Sequence, residues 1–132
     1  MESLYYYYHK VIGIRPYHVT NRIKWWWQRR RRGFDDSELW NLDHTIAKFI
    51  LPRLKRFKEI CHGYPSELHV DGDGKIGEKR WDEILDKMII SFEAVINMDE
   101  TILEGKEAYE AANKHHKEGM KLFCEYFGNL WD

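Results

Sequence analysis

Apolar positions recur every three to four residues through most of the chain, which is the helical period. The clearest run is Trp81, Ile84, Leu85, Met88, Ile89, Phe92, Val95 and Ile96. It predicts an amphipathic helix starting near Glu78. The pattern weakens over Asn97–Thr101 and resumes with Ala108, Ala112, His115, Gly119, Met120, Phe123, Phe127 and Leu130. Two helices joined near 98–103 account for this, and so does one long bent helix. Upstream, Leu39, Ile46, Ile50, Leu54 and Phe57 mark a helix opened by Asp35-Asp36-Ser37, whose acids suit the positive end of the helix dipole. Pro52 is expected to kink that helix or to split it near Leu51. A shorter helix capped by Thr20 or Asn21 carries Ile23, Trp26 and Arg30 on one side and ends at Gly33. Asp71-Gly72-Asp73-Gly74, flanked by Leu68, Val70 and Ile76, allows one short hairpin over 68–77. The predicted fold class is all-α: a small helical bundle with a long bent C-terminal helical region.

Length and charge refine this picture. At 132 residues the chain is read as one domain, 1–132. Within it, a basic aromatic segment, 1–32, precedes a helical core, 33–132. Residues 1–32 hold eight basic residues and one acid, a balance of +7. Residues 33–132 hold 13 basic and 21 acidic residues, a balance of −8. The net charge of −1 excludes a uniformly basic nucleic-acid binder, while the polarity favours an anionic partner at the basic end or head-to-tail self-association. A homo-oligomer is expected. No apolar run reaches the length of a membrane span, and Met1–Tyr5 lacks the charged start and aliphatic stretch of a signal peptide. Two cysteines, Cys61 and Cys124, read as reduced thiols. No membrane partner is expected.

The strongest chemical signal is Lys24-Trp25-Trp26-Trp27-Gln28-Arg29-Arg30-Arg31-Arg32. Guanidinium forks pair with phosphates and indoles stack on bases. On a helix, three successive indoles splay over about 200°, so they cannot all enter a core. Asp43 shares a stripe with Leu39, Ile46 and Ile50, which predicts a carboxylate aimed at the core beside Trp40. Such a group needs a partner; His44, Lys48 or a cation from another helix are the candidates.

Catalytic and metal chemistry is weakly represented. The Asp71–Gly77 stretch matches a calcium loop in its middle, but His69 and Arg80 occupy the end positions that need oxygen ligands. It reads as a tight turn. His115 and His116 are adjacent and face about 100° apart on a helix. No zinc, phosphate-loop, dinucleotide or nucleophile-elbow motif occurs. No metal, no cofactor and no enzymatic activity are expected.

Several stretches together resemble a family of small phage proteins: Gly33-Phe34-Asp35-Asp36, Trp40-Asn41-Leu42-Asp43-His44, Leu51–Lys58, His62-Gly63-Tyr64-Pro65, Trp81–Ile89, and the terminal Tyr126-Phe127 with Leu130-Trp131-Asp132. The family is similar to phage anti-CBASS proteins that act as sponges for cyclic dinucleotides. The resemblance implies a non-enzymatic protein in the cytoplasm of an infected host bacterium that sequesters a nucleotide immune signal. No ligand motif carries over residue by residue, so the candidate site follows from chemistry. Trp26, Trp40 and Trp81 would stack bases. Arg30, His44, Lys48, Arg53 and Arg56 would hold phosphates, and Asp43 would orient a base or one of these cations. Two alternatives stand beside it: a nucleic-acid-binding module centred on residues 24–32, and a structural or host-protein interaction protein.

Overall fold

The computed structural model describes residues 16–70, 72 and 74–131, with side chains from Thr20 onwards. Five α-helices occur among the described residues: α1 (Pro16–Arg32), α2 (Leu42–Ile60), α3 (Lys75–Ile96), α4 (Met98–Glu104) and α5 (Lys106–Glu125). Short 3-10 turns lie at Asp36–Leu39, Ser66–Leu68 and Phe127–Asn129. The all-α helical bundle expected from the periodicity is what forms. No strand occurs among the described residues, so residues 68–70 and 74–77 form no hairpin. Asp71 and Asp73, like the aromatic stretch Tyr5–Tyr8, lie outside the described residues. No helix among the described residues is long and apolar enough to cross a membrane.

The chain divides into two compact units, Met1–Leu42 and Asp43–Asp132. The division falls at Leu42/Asp43 rather than at the 32/33 change in composition.

In the first unit, α1 begins at Pro16, ahead of the expected caps Thr20 and Asn21. Proline suits the first helical turn, where its missing N–H has no intrahelical acceptor to lose. Gly33 ends the helix with φ +83° and its N–H on the Arg29 carbonyl at 2.9 Å. Asp35-Asp36-Ser37 does not open the long helix. It caps a 3-10 turn instead, and α2 starts only at Leu42.

In the second unit, Lys55 pairs with Glu93 and Lys58 with Asp86, both at 2.6 Å, so α2 runs antiparallel to α3. α2 is continuous through Pro52, so of the two expected outcomes, a kink or a split, the split does not occur. Pro52 lacks the N–H that would bond the Lys48 carbonyl, and both residues lie on the exposed side of the helix. The adjacent Phe49 carbonyl accepts from the Arg53 guanidinium at 2.6 Å. Ala47 and Leu54 of α2 meet Trp81, Leu85, Met88, Ile89 and Phe92 of α3 in the core, with Leu68 and Tyr126 closing it.

The closest helix crossing joins α3 and α5. A Cβ on Gly119 would lie 2.2 Å from the Lys87 carbonyl and 2.4 Å from the Ser91 Cβ. The buried Ser91 hydroxyl donates to the His116 carbonyl at 2.8 Å. His116 Nδ1 lies 3.2 Å from the Ser91 carbonyl, which assigns the proton to Nδ1. Phe92 meets Phe123, and Trp81 meets Tyr126, edge to face. The C-terminal helical region expected from near Glu78 is three helices, α3, α4 and α5, broken at Asn97 and at Gly105.

Gly119→Ala is expected to destabilise the protein by about 1–3 kcal/mol, because backbone on the facing helix cannot yield as a side chain would. Gly63→Ala, with open space around its Cβ position, is expected to stay within about 0.5 kcal/mol of the parent. Urea unfolding of the two variants measures the contrast.

Candidate functional site

The first unit is organised by two adjacent carboxylates. Asp35 is fully buried and accepts from the Ser37 amide at 2.8 Å and its hydroxyl at 2.5 Å. Glu38 returns a bond to the Asp35 amide at 3.1 Å, completing a capping box. Arg29 Nε donates to the second Asp35 oxygen. Asp36 accepts from Gln28 at 2.6 Å, pairs with Lys24 at 3.1 Å and binds the Arg32 guanidinium. Gln28 also accepts from the Asp36 amide at 3.0 Å. Burial opposes ionisation of Asp35, but the Ser37 and Arg29 hydrogen bonds outweigh it and hold the carboxyl below the usual range. Hydrogen bonds from Gln28, Arg32 and Lys24 hold Asp36 well below it too.

This clamp divides α1 into two faces. Lys24, Gln28, Arg29 and Arg32 turn towards the Asp35–Asp36 loop. Ile23, Trp26, Trp27 and Arg30, spaced by three, four and seven, form an opposite stripe. Trp26 is 55% and Trp27 56% exposed. Their rings meet edge to face at 5.2 Å, and the Arg30 guanidinium lies 5.8 Å from the Trp26 ring. Arg22, Arg30 and Arg31 have no acidic partner among the described residues. Two indole faces and the Arg30 guanidinium therefore share one exposed stripe, with Arg22 and Arg31 at its opposite flanks.

No family model, curated protein or solved structure matches this chain. The reading of the site rests on its geometry.

The sequence-predicted residues are divided between the two units. Trp26, Arg30 and Trp40 lie in the first unit, Trp40 81% exposed. The others lie in the second. Asp43 is exposed rather than core-facing, as is Ile46. The stripe that enters the core from α2 is set by Ala47 and Leu54, about 100° round the helix from Ile46. His44 is half-buried and Lys48 exposed. Arg53 folds back on Phe49, with its guanidinium 3.7 Å from the ring. Arg56 pairs with Glu59 at 2.8 Å. Trp81 is not an accessible stacking platform: it is 3% exposed, in the core. Only its rim reaches two surface hollows of about 350 and 370 Å³ on either side of Gly63. Among the described residues, no group of three potential ligands could hold a metal.

Sequence reasoning missed the Asp35–Asp36 clamp. The Arg32/Asp36 spacing of four across a glycine was its available signal, but the acids were assigned to the dipole of the following helix. The loop residue Tyr64 was missed as well. Its ring occupies the space a Cβ on Gly77 would need, and its hydroxyl lies 2.7 Å from His69 Nδ1. Nothing in the linear pattern marks that contact.

Both clamp carboxyls have folded-state pKa values below their unfolded ones. The stability they contribute is therefore complete above the unfolded value near about 4 and is lost as pH falls through the lowered folded values. The Ser37 amide resonance, followed by NMR from pH 7 downward, is expected to titrate with a midpoint below about 4. A midpoint at or above that value contradicts the clamp.

Proposed function

We propose that this chain is a non-enzymatic binder of nucleotide-class anions and that the outward face of α1 is its recognition surface. The observation that carries the reading is the exposed pair Trp26 and Trp27 with Arg30 beside them and Arg22 and Arg31 flanking, three guanidinium groups with no acidic partner among the described residues. Guanidinium forks supply phosphate contacts, and indole faces supply stacking worth about 1–3 kcal/mol per base. The shape of the surface selects the form of the ligand. A small ligand is held by burying most of its surface in a concave site, whereas α1 offers an open convex face. A single-stranded nucleic acid suits such a face, because successive phosphates and bases engage successive side chains. The alternative is the sponge for a cyclic dinucleotide, which the resemblance to phage proteins supports. It requires a second surface to close over Trp26 and Trp27.

Fluorescence anisotropy with a labelled single-stranded oligonucleotide and with a cyclic dinucleotide separates the two. The strand is expected to bind, with an affinity that falls steeply with salt. Arg30→Ala with Arg31→Ala is expected to reduce the log–log salt slope by about 1.4, from about 0.7 per phosphate contact. Trp26→Ala with Trp27→Ala is expected to weaken binding about tenfold or more at unchanged slope, as loss of stacking requires. Tight, salt-tolerant binding of the cyclic dinucleotide alone supports the sponge. Retention only on anionic vesicles contradicts both readings.

A further inference from the structure

Two exposed apolar patches of the 43–132 unit carry opposite charge. On α2, Ile46, Phe49, Arg53 and Arg56 succeed one another at spacings of three and four and form one stripe, turned away from the buried Ala47 and Leu54. Phe49 is 59% exposed and is capped by Arg53. The helix holds Lys48, Arg53, Lys55, Arg56 and Lys58 against Asp43 and Glu59. The other patch is the corner where α4 meets α5. Ile102 and Leu103 project there, Leu103 at 87% exposure. Beside them is a hollow of about 340 Å³ lined by Ile102, Gly105, Lys106 and Tyr109. Residues 98–110, which carry this corner, hold Asp99, Glu100, Glu104, Glu107 and Glu110 against Lys106 alone. Of these acids, among the described residues, only Glu110 is paired, with Lys106 at 3.7 Å.

Contiguous exposed apolar surface marks an interaction site, and complementary charge selects its partner and fixes its register. The chain supplies both halves. We infer that the α2 stripe of one copy docks on the α4–α5 corner of a second copy. Phe49 enters the hollow beside Tyr109, and Arg53 and Arg56 face Glu104 and Glu107. The contact is heterologous, with different residues on its two sides. It does not involve α1, so it stands or falls apart from the proposed ligand.

Sedimentation equilibrium of the full chain tests this, up to about 100 μM, above the affinity range of interfaces of ordinary size. The parent is expected to associate. Phe49→Asp and Leu103→Asp are each expected to be monomeric. Both sites are exposed, so circular dichroism is expected to show unchanged helicity. An equimolar mixture of the two variants is expected to form a 1:1 complex, since each retains the half that the other has lost. Arg53→Glu with Arg56→Glu is expected to raise the dissociation constant at least about tenfold. A monomeric parent, variants that still associate, or a mixture that stays monomeric each overturns the inference.

Discussion

The buried carboxylate of Asp35 is the constraint on which the reading of the first unit depends. A carboxylate with no exposure needs its lone pairs filled. Ser37 and Arg29 fill them, and Glu38 closes the capping box. Asp36, beside it, collects Gln28, Arg32 and Lys24. A run of four arginines would otherwise be one undifferentiated block of charge. The two acids engage Arg29 and Arg32 and leave Arg30 and Arg31 with no acidic partner among the described residues, Arg30 on the side where Trp26 and Trp27 stand.

The second unit depends on a different kind of contact. α3 and α5 approach so closely at Gly119 that a methyl group has no room. Buried Ser91 and half-buried His116 exchange hydrogen bonds across the gap. That crossing aligns Trp81 with Tyr126 at one end and carries α5 to the Gly105 corner at the other. α2 then adds its Ala47–Leu54 edge, held in register by Lys55–Glu93 and Lys58–Asp86. Because only one edge of α2 is used, Phe49 and its neighbours remain outside.

Much of this was legible in the sequence. The α3 stripe from Trp81 to Phe92 predicts its buried face correctly, because six large apolar residues at helical spacing leave one solution. Gly33 was legible as a helix end. Asp43 was not read correctly: the stripe was drawn through Leu39, which lies in a separate 3-10 turn, and through Ile46, which is exposed, whereas Ala47 and Leu54 set the buried side of the helix. Pro52 was legible as a kink or a split, and the helix is not split there. The candidate site was half legible. Trp26 and Arg30 were named for their chemistry and do share an exposed face. Trp40, Asp43 and Trp81 were gathered by residue type, and the fold places them in three different environments. The role of Arg29 and Arg32 depends on a contact across a turn, which helical periodicity does not encode.

The most direct test of the central claim is to map the ligand footprint on the intact protein. In an NMR titration with a single strand of about twelve nucleotides, within the span of known single-strand sites, the indole and backbone resonances of Trp26, Trp27, Arg30 and Arg31 are expected to shift. Those of Trp81 and Trp131 are expected to stay in place. Shifts concentrated around Trp81, or none along α1, would contradict the account.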